Sequence, residues 1–181
     1  RSMNTVSSRG CPFACSFCFR GSQGERNYGV RGTRSIVDET AWLVDRYGVD
    51  FVGFLDDNRL VSAPALEDLA GPLGDLCTRS GLRWGTHGRL DEAADMRRIE
   101  AIQRGGGVYI GCGAESASSR TLTAMGKGGS MLARGTERIN GYDLPVTMIR
   151  GYENTVVRAG LHGNCTWIVG YPGATLDDEK H

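Results

Sequence analysis

The segment that decides the fold runs from residue 7 to residue 20 and reads SSRGCPFACSFCFR. Cys11, Cys15 and Cys18 have the spacing Cys-x-x-x-Cys-x-x-Cys, and Phe17 directly precedes the last cysteine. The next cysteine or histidine is Cys77, so the segment lacks the fourth protein ligand of a closed zinc site. Three cysteines on one short loop favour an iron–sulfur cluster in which one iron keeps an open position.

Strand and helix patterns alternate on the C-terminal side of this loop. Strands are predicted at Met3–Ser8, Asp50–Leu55, Leu82–His87, Val108–Gly113 and Gly163–Val169. Helices are predicted at Ser35–Tyr47, Ser62–Arg79, Glu92–Arg104, in a short stretch ending at Met125, and at Pro145–Ala159. This alternation indicates parallel strands joined by helical crossovers. A (β/α) barrel and a doubly wound open sheet both alternate in this way, so the pattern alone leaves both open.

Polar residues follow the predicted strands and do not precede them. They are Asp56 and Asp57, Arg89, Glu115 and Ser116, and Gly170 and Tyr171. In a barrel of parallel strands these positions form the C-terminal rim, where active sites are built. Two glycine-rich polar segments interrupt the pattern: Gly21–Gly32 is predicted to be a loop, and Gly128–Asp143 a mobile loop or a lid over the rim.

Composition limits the class of protein. The 181 residues fit one domain, and 21 basic residues balance 21 acidic ones. We therefore expect neither a nucleic-acid partner nor, since long apolar runs are missing from the sequence, a membrane span. Scattered cysteines outside the loop favour a reducing cytoplasm. The chain starts without methionine and ends shortly after Thr175, which is typical of a helix start, so residues 1–181 are interpreted as one domain cut from a longer protein.

The cysteine loop resembles the signature of the radical S-adenosylmethionine superfamily, Cys-x-x-x-Cys-x-aromatic-Cys, and the resemblance extends from Val6 to Thr175. It implies an α/β fold, a partial parallel (β/α) barrel with about five of the usual six strands. It also implies that the three cysteines bind three irons of a 4Fe–4S cluster. The amino and carboxylate groups of S-adenosylmethionine would bind the fourth iron. One electron from the cluster would then release a 5′-deoxyadenosyl radical, with Phe17 beside the cofactor.

The resemblance also suggests ligands for the methionine and ribose parts of the cofactor. Asp56 and Asp57 would contact the methionine amino group, although two such acids could instead cap the next helix. Glu115 and Ser116 would bind the ribose hydroxyls and the methionine part, with a helix cap at Ser116 as the alternative.

Two further contacts complete the predicted cofactor site. Arg89 would pair with the cofactor carboxylate or bridge to Asp91 instead. Ile168, Gly170 and Tyr171 lie on a stretch similar to the adenine-binding strand of the family, in which Ala174 replaces the usual glutamate.

The combined motifs look most like the cobalamin-binding branch of the superfamily. The resemblance implies a methyltransferase acting on a small natural product, with cobalamin bound by a domain outside this chain and electrons from a reductant such as flavodoxin or ferredoxin. Two alternatives stay open: a methylthiotransferase or other radical oxidoreductase without cobalamin, and a non-catalytic iron–sulfur electron-transfer module. Cys112 and Cys165 are interpreted as core residues more readily than as hydrogen-atom donors, and His87 and His162 as structural residues.

Overall fold

A computed structural model of the protein describes residues 1–22 and 26–180. The strands are β1 (Ser2–Thr5), β2 (Ser8–Gly10), β3 (Tyr28–Val30), β4 (Phe51–Phe54), β5 (Arg83–Arg89), β6 (Gly107–Glu115), β7 (Thr136–Ile139), β8 (Tyr142–Pro145) and β9 (His162–Trp167). The α-helices are α1 (Phe19–Ser22), α2 (Thr33–Tyr47), α3 (Ala63–Ser80), α4 (Met96–Arg104), α5 (Ser119–Ala124), α6 (Gly128–Met131), α7 (Val146–Tyr152) and α8 (Leu176–Glu179).

Five of these strands form one sheet in the order β1-β4-β5-β6-β9. Each neighbouring pair is parallel, and helices connect consecutive strands of this sheet. The predicted α/β class, the strand count and the partial-barrel arrangement are confirmed. Because all five strands run in the same direction, their C-terminal ends meet at one edge.

The core lies between this sheet and the long helices. Ser62 caps α3 by accepting a hydrogen bond from the Ala65 amide at 3.3 Å. Leucines spaced by three or four residues then form one buried face of α3, comprising Leu66, Leu69, Leu73 and Leu76. On the sheet, Phe54 and Trp84 pack edge to face with ring centroids 5.4 Å apart. Each such apolar side chain contributes about 1.5–3 kcal/mol when it is fully buried.

The segment Gly128–Asp143 has regular structure and is not the irregular loop that its composition suggests; a role as a lid over the rim stays a prediction. It begins with α6 and continues into an antiparallel hairpin formed by β7 and β8. Asn140 and Gly141 occupy the turn with φ of 52° and 91°, the geometry that favours Asn-Gly in two-residue hairpins. This dipeptide was the local signal for a hairpin.

Three other elements differ from the predicted ones. The third predicted helix is divided at Asp95 into a 3-10 turn at Glu92–Ala94 and α4. The helix after Pro145 becomes π-helical from Glu153–Arg158. The predicted loop Gly21–Gly32 contains β3, which pairs with β2 beside the cysteine loop; its residues 23–25 lie outside the described residues.

None of the described helices has both the length and the apolar character that crossing a membrane requires.

Candidate active site

Two acids after β4 fix the chain as it enters the cysteine loop. The Asp56 carboxylate accepts hydrogen bonds from the Ser7 amide at 2.7 Å, the Ser8 amide at 3.0 Å and the Ser7 hydroxyl. Asp57 accepts a hydrogen bond from the Gly10 amide at 2.7 Å. The first residues of the loop are therefore held by charge-assisted hydrogen bonds, which are stronger than neutral ones. Neither acid caps the following helix, because Ser62 does so.

The middle of the loop is held from the opposite side by the end of α5. The Ser16 amide donates to the Met125 carbonyl at 2.9 Å. Gly126 has φ of 67°, and a side-chain Cβ there would lie 3.0 Å from the Ala14 carbonyl oxygen. Glycine is required at this position both for the backbone conformation and for the close approach of the loop.

All three loop cysteines are free thiols and line one cavity of about 350 Å³ at the C-terminal rim. The Arg89 guanidinium donates to Cys15 Sγ at 3.3 Å, and Asn58 Nδ2 approaches Cys11 Sγ to 3.9 Å. Burial raises the pKa of the Cys11 thiol. Thiols with donors directed at their sulfurs fit an iron–sulfur cluster, in which such hydrogen bonds tune the reduction potential.

The donor set does not resemble a site for a single metal ion. Within residues 1–22 and 26–180, no cluster of three or more His, Cys, Asp or Glu side chains has the arrangement of an ion-binding site. Such a site needs its ligands at about 2.0–2.3 Å from one ion, whereas in a cluster the cysteines bind separate irons.

Arg89 is buried and makes a two-pronged pair with Asp91. Its Nε and Nη2 atoms donate to the two carboxylate oxygens at 3.0 and 2.9 Å, and its guanidinium lies 3.9 Å from the centre of the Phe13 ring. Burial acts to raise the pKa of Asp91, but hydrogen bonds and attraction from Arg89 outweigh it and hold that pKa below its usual range. Of the two interpretations of Arg89, the structure shows the bridge to Asp91, with an additional bond to Cys15.

Glu115 stands at an irregular end of β6. The register with β9 shifts between Gly113 and Glu115, and Glu115 has φ of 69°, in the left-handed region. Strain of this kind in a non-glycine residue costs about 1–3 kcal/mol and often marks a functional site. Lys127, which is 3% exposed, donates to Glu115 Oε1 at 3.1 Å and to the Gly113 carbonyl at 2.6 Å.

Gly113 provides the space for this ion pair. A Cβ at position 113 would collide with Glu115 Oε1 and come within 3.1 Å of Lys127 Nζ. The carboxylate therefore folds back over the glycine into the cavity wall. The motif around Glu115 included Lys127, but a long-range pair through a glycine gap could not be read from it.

Glu115 also borders a second recess of about 260 Å³, which Ser116 and Ile168 line. The Ile168 amide donates to the Glu115 carbonyl at 2.9 Å, which joins the end of β6 to the segment after β9. The Ser116 hydroxyl accepts from the Ser118 amide at 3.1 Å, and Ser118, not Ser116, caps α5. The two cavities thus share Glu115.

The segment after β9 reaches the cysteine loop through Tyr171. Its hydroxyl lies 2.8 Å from the Ser16 hydroxyl and donates to the Ala124 carbonyl at 3.2 Å. The Gly170 amide donates to the Glu179 carboxylate of α8 at 2.9 Å.

The structure therefore separates the expected site residues into two groups. Those lining the cavity with the cysteines are Phe17, Asp57, Arg89 and Glu115. Asp56 lies 4% exposed beneath the loop, Ser116 and Ile168 line the second recess, and Gly170 and Tyr171 make the bonds described above.

Several cavity residues were missed as site residues. Asn58 and Lys127 line the cavity, and so does His87, which was interpreted as structural. Cys112 is 3% exposed within the core and also borders the cavity, and Cys165 packs against that core. Burial raises the pKa of Cys112 to about 12.

Comparisons with known proteins agree with this geometry. The chain is 30% identical over 123 residues, 66% of its length and 20% of the relative's, to the anaerobic magnesium-protoporphyrin IX monomethyl ester cyclase of Cereibacter sphaeroides. It is 26% identical over 175 residues, 96% of its length and 34% of the relative's, to an uncharacterized methyltransferase of Pyrococcus horikoshii. The chain thus spans between a fifth and about a third of these curated relatives.

Solved structures show the same fold. The radical S-adenosylmethionine methyltransferase TsrM from Kitasatospora setae, with cobalamin and a [4Fe-4S] cluster bound, matches 97% of this chain and 32% of its own, with a TM-score of 0.75 and 19% identity. The cobalamin-dependent radical enzyme OxsB, with aqua-cobalamin and S-adenosylmethionine bound, matches 99% of this chain and 25% of its own, with a TM-score of 0.73 and 17% identity. The family model described as the Radical SAM superfamily matches residues 5–181. The prediction made from the cysteine loop is confirmed: the chain belongs to the radical S-adenosylmethionine superfamily.

Proposed function

We propose that residues 1–181 are the core domain of a radical S-adenosylmethionine methyltransferase that uses cobalamin and acts on a small molecule. The observation that carries this proposal is the single cavity shared by the three cysteines, Arg89 and Glu115. Membership of the superfamily implies the 4Fe–4S cluster and S-adenosylmethionine. When bound, they supply one-electron cleavage of the sulfonium and a 5′-deoxyadenosyl radical.

The residues around the cavity have separate roles in this proposal. Cys11, Cys15 and Cys18 bind the cluster, and Arg89 stabilises the Cys15 thiolate by a charge-assisted hydrogen bond. Phe17 and Asp57 border the site proposed for the methionine part of the cofactor. Phe17 excludes water there, and Asp57 holds the amino group of the cofactor.

Glu115 connects the cavity to the second recess, so we assign it to the ribose and methionine groups. Ser116 and Ile168 border the recess, which would hold the nucleoside side of the cofactor, with Gly170 and Tyr171 shaping its outer edge. Asp56 acts indirectly, by holding the backbone at Ser7 and Ser8.

The cobalamin part of the proposal rests on the relatives. Both solved structures described above are of cobalamin-dependent or cobalamin-bound enzymes, and the chain covers only part of each. We therefore place cobalamin on a domain outside these residues and expect electrons from a flavodoxin- or ferredoxin-type reductant. A cytoplasmic location stays a prediction.

The function is tested on the full parent protein after anaerobic reconstitution. Reduction in the presence of S-adenosylmethionine should yield 5′-deoxyadenosine, and Cys18→Ala should abolish it. Cys77→Ala is the matched control, because Cys77 is a buried core thiol on α3. A protein that binds the cluster but never forms 5′-deoxyadenosine would be an electron-transfer module.

A second candidate is radical oxidation of the substrate without methyl transfer. It is favoured by the two cyclases among the relatives, from Cereibacter sphaeroides and, at 28% identity over 123 residues, from Rubrivivax gelatinosus. S-adenosylmethionine labelled in its methyl group separates the candidates. Label in the product supports the methyltransferase, whereas an oxidised, unlabelled product supports the second candidate.

A further inference from the structure

The inner face of the sheet below the cysteines is unusual in composition. Register pairing places Gly111 of β6 between His87 of β5 and Asn164 of β9. One step nearer the rim, Gly113 lies between Arg89 and Thr166. The interior of a parallel barrel is normally filled by bulky branched side chains, whereas here polar side chains of neighbouring residues fold over two glycines. We call the part of the cavity lined by His87, Gly111 and Asn164 the slot.

The rings of His87 and Tyr109 lie over Gly111 in this slot. A Cβ at Gly111 would lie 2.6 Å from His87 Cδ2, 3.1 Å from His87 Nε2 and 3.1 Å from the Tyr109 hydroxyl oxygen. Because His87 Nε2 and the Tyr109 hydroxyl oxygen both lie 3.1 Å from the same point, the distance between these two atoms is at most twice 3.1 Å. The rings meet edge to face with centroids 6.3 Å apart, which fixes them relative to each other.

The polar groups of the slot have hydrogen-bonding capacity to spare. His87 and Asn164 are exposed towards the cavity and Tyr109 is partly exposed, and all three line the cavity that holds the cysteines. In the described part of the chain, their side chains have no hydrogen-bond partner. Imidazole, phenol and amide groups can each donate and accept.

The charges around the slot favour a neutral ligand. The charged side chains of the described cavity lining each have a partner of opposite sign: Asp57 pairs with Arg20, Arg89 with Asp91, and Glu115 with Lys127. No lining cation is left over in this part of the structure to bind an anion.

We propose that this slot, formed by His87, Tyr109 and Asn164 over Gly111, binds a neutral oxygen-bearing group of the substrate, a hydroxyl or a carbonyl. This inference rests on the proposed function only because it identifies the ligand as the substrate of that reaction. The slot would orient the substrate below the cofactor by accepting and donating hydrogen bonds at that oxygen.

Footprinting with diethyl pyrocarbonate, which modifies accessible imidazole nitrogens, tests this proposal on the reconstituted parent protein. The probes are acetamide, which is neutral, and acetate, which has the same shape and a negative charge, at equal concentration. We expect acetamide at about twice its dissociation constant to slow modification of His87 about threefold. His162 should be unaffected, because it stands opposite Tyr109 in the register but does not line the cavity.

Tyr109→Phe should reduce the protection by acetamide, and Tyr152→Phe, at an exposed tyrosine on α7, should not. Equal slowing of His87 and His162, or no slowing by either probe, would overturn the site. Acetate protecting as well as acetamide would overturn the neutral class of ligand. The footprint needs no reductant, so a failure to form 5′-deoxyadenosine would overturn the proposed function and leave this result standing.

Discussion

The wall of the cavity formed by β5 and β6 is buried and cross-linked by ion pairs, whereas the β9 edge is exposed. In the wall, Arg89 and Lys127 are 6% and 3% exposed and both are paired. At the edge, Trp167 is 52% and Val169 81% exposed. β9 itself pairs with β6, but the segment that follows it is joined to the cysteine loop by separate hydrogen bonds such as that between Tyr171 and Ser16.

This difference indicates that the two sides serve binding differently. Buried charges that lose one partner are expensive, so the β5–β6 wall keeps one geometry whether or not a ligand is bound. A single hydrogen bond contributes only about 0.5–1.5 kcal/mol, so we expect the segment after β9 to adjust more easily to a ligand. Under the proposed function, the side that binds the cluster would be preorganised and the side that binds the nucleoside would be adaptable.

The largest expected effect comes from breaking the buried pair. Lys127→Met leaves the Glu115 carboxylate in the wall without its partner and should lower the free energy of unfolding by about 3 kcal/mol. Arg138→Met is the matched control, because the Arg138–Asp143 pair is mostly exposed, and it should cost less than about 1 kcal/mol. Urea unfolding measures both, and equal losses would contradict the comparison.

The next effect is on affinity. Gly113→Ala introduces a Cβ where Glu115 Oε1 lies and should displace the carboxylate. Affinity for S-adenosylmethionine should fall about tenfold, or about 1.4 kcal/mol. Gly71→Ala, in α3 with open space around it, should leave affinity unchanged. Equilibrium dialysis with labelled cofactor measures this, and an unchanged affinity of the Gly113 variant would remove Glu115 from the cofactor site.

A smaller effect is expected at the exposed edge. Tyr171→Phe removes a hydroxyl that bonds Ser16 and the Ala124 carbonyl and should cost about 1 kcal/mol. Amide hydrogen exchange should speed up in the cysteine loop and after β9 but not in β5. Tyr152→Phe is the control, and faster exchange throughout the sheet in the Tyr171 variant would show that the edge is not separate from the wall.

The smallest effect is a change in the pH dependence of stability. It is separate from the overall loss of stability that Asp91→Asn also causes, because that variant leaves the buried Arg89 without its partner. Arg89 holds the pKa of Asp91 below its usual range. The stabilisation is therefore complete above the unfolded-state pKa of about 3.9 and is lost as the pH falls through the lower folded-state value. Asp91→Asn should reduce the slope of the free energy of unfolding against pH in this acidic range. Asp177→Asn, which changes an exposed acid, should leave that slope unchanged. An unchanged slope in the Asp91 variant would contradict the assignment.

The repeating part of the fold was predictable from local patterns. The apolar run Asp50–Leu55 indicated a buried parallel strand, the alternation of strands and helices predicted another at Leu82–His87, and the structure places strands in both. β2 and β3, of three residues each, are too short to show periodicity. The hairpin of β7 and β8 was missed because glycine-rich polar composition outweighed the Asn140–Gly141 signal.

The site was predictable only where a motif carried it. The cysteine spacing and the order of strand ends located the rim, and Asp57, Arg89 and Glu115 do lie beside the cysteines. Adjacent acids point in different directions after a strand, and sequence does not tell which of Asp56 and Asp57 faces the cavity. The slot around His87 depends on register across three strands, which no single segment reveals.

The central claim is that this cavity binds a 4Fe–4S cluster and S-adenosylmethionine side by side. Electron paramagnetic resonance of the reconstituted, reduced parent protein tests it most directly. The account expects a cluster signal that changes when S-adenosylmethionine is added, and loss of the full cluster in Cys15→Ala. A signal indifferent to S-adenosylmethionine, or a full cluster in the Cys15 variant, would contradict it.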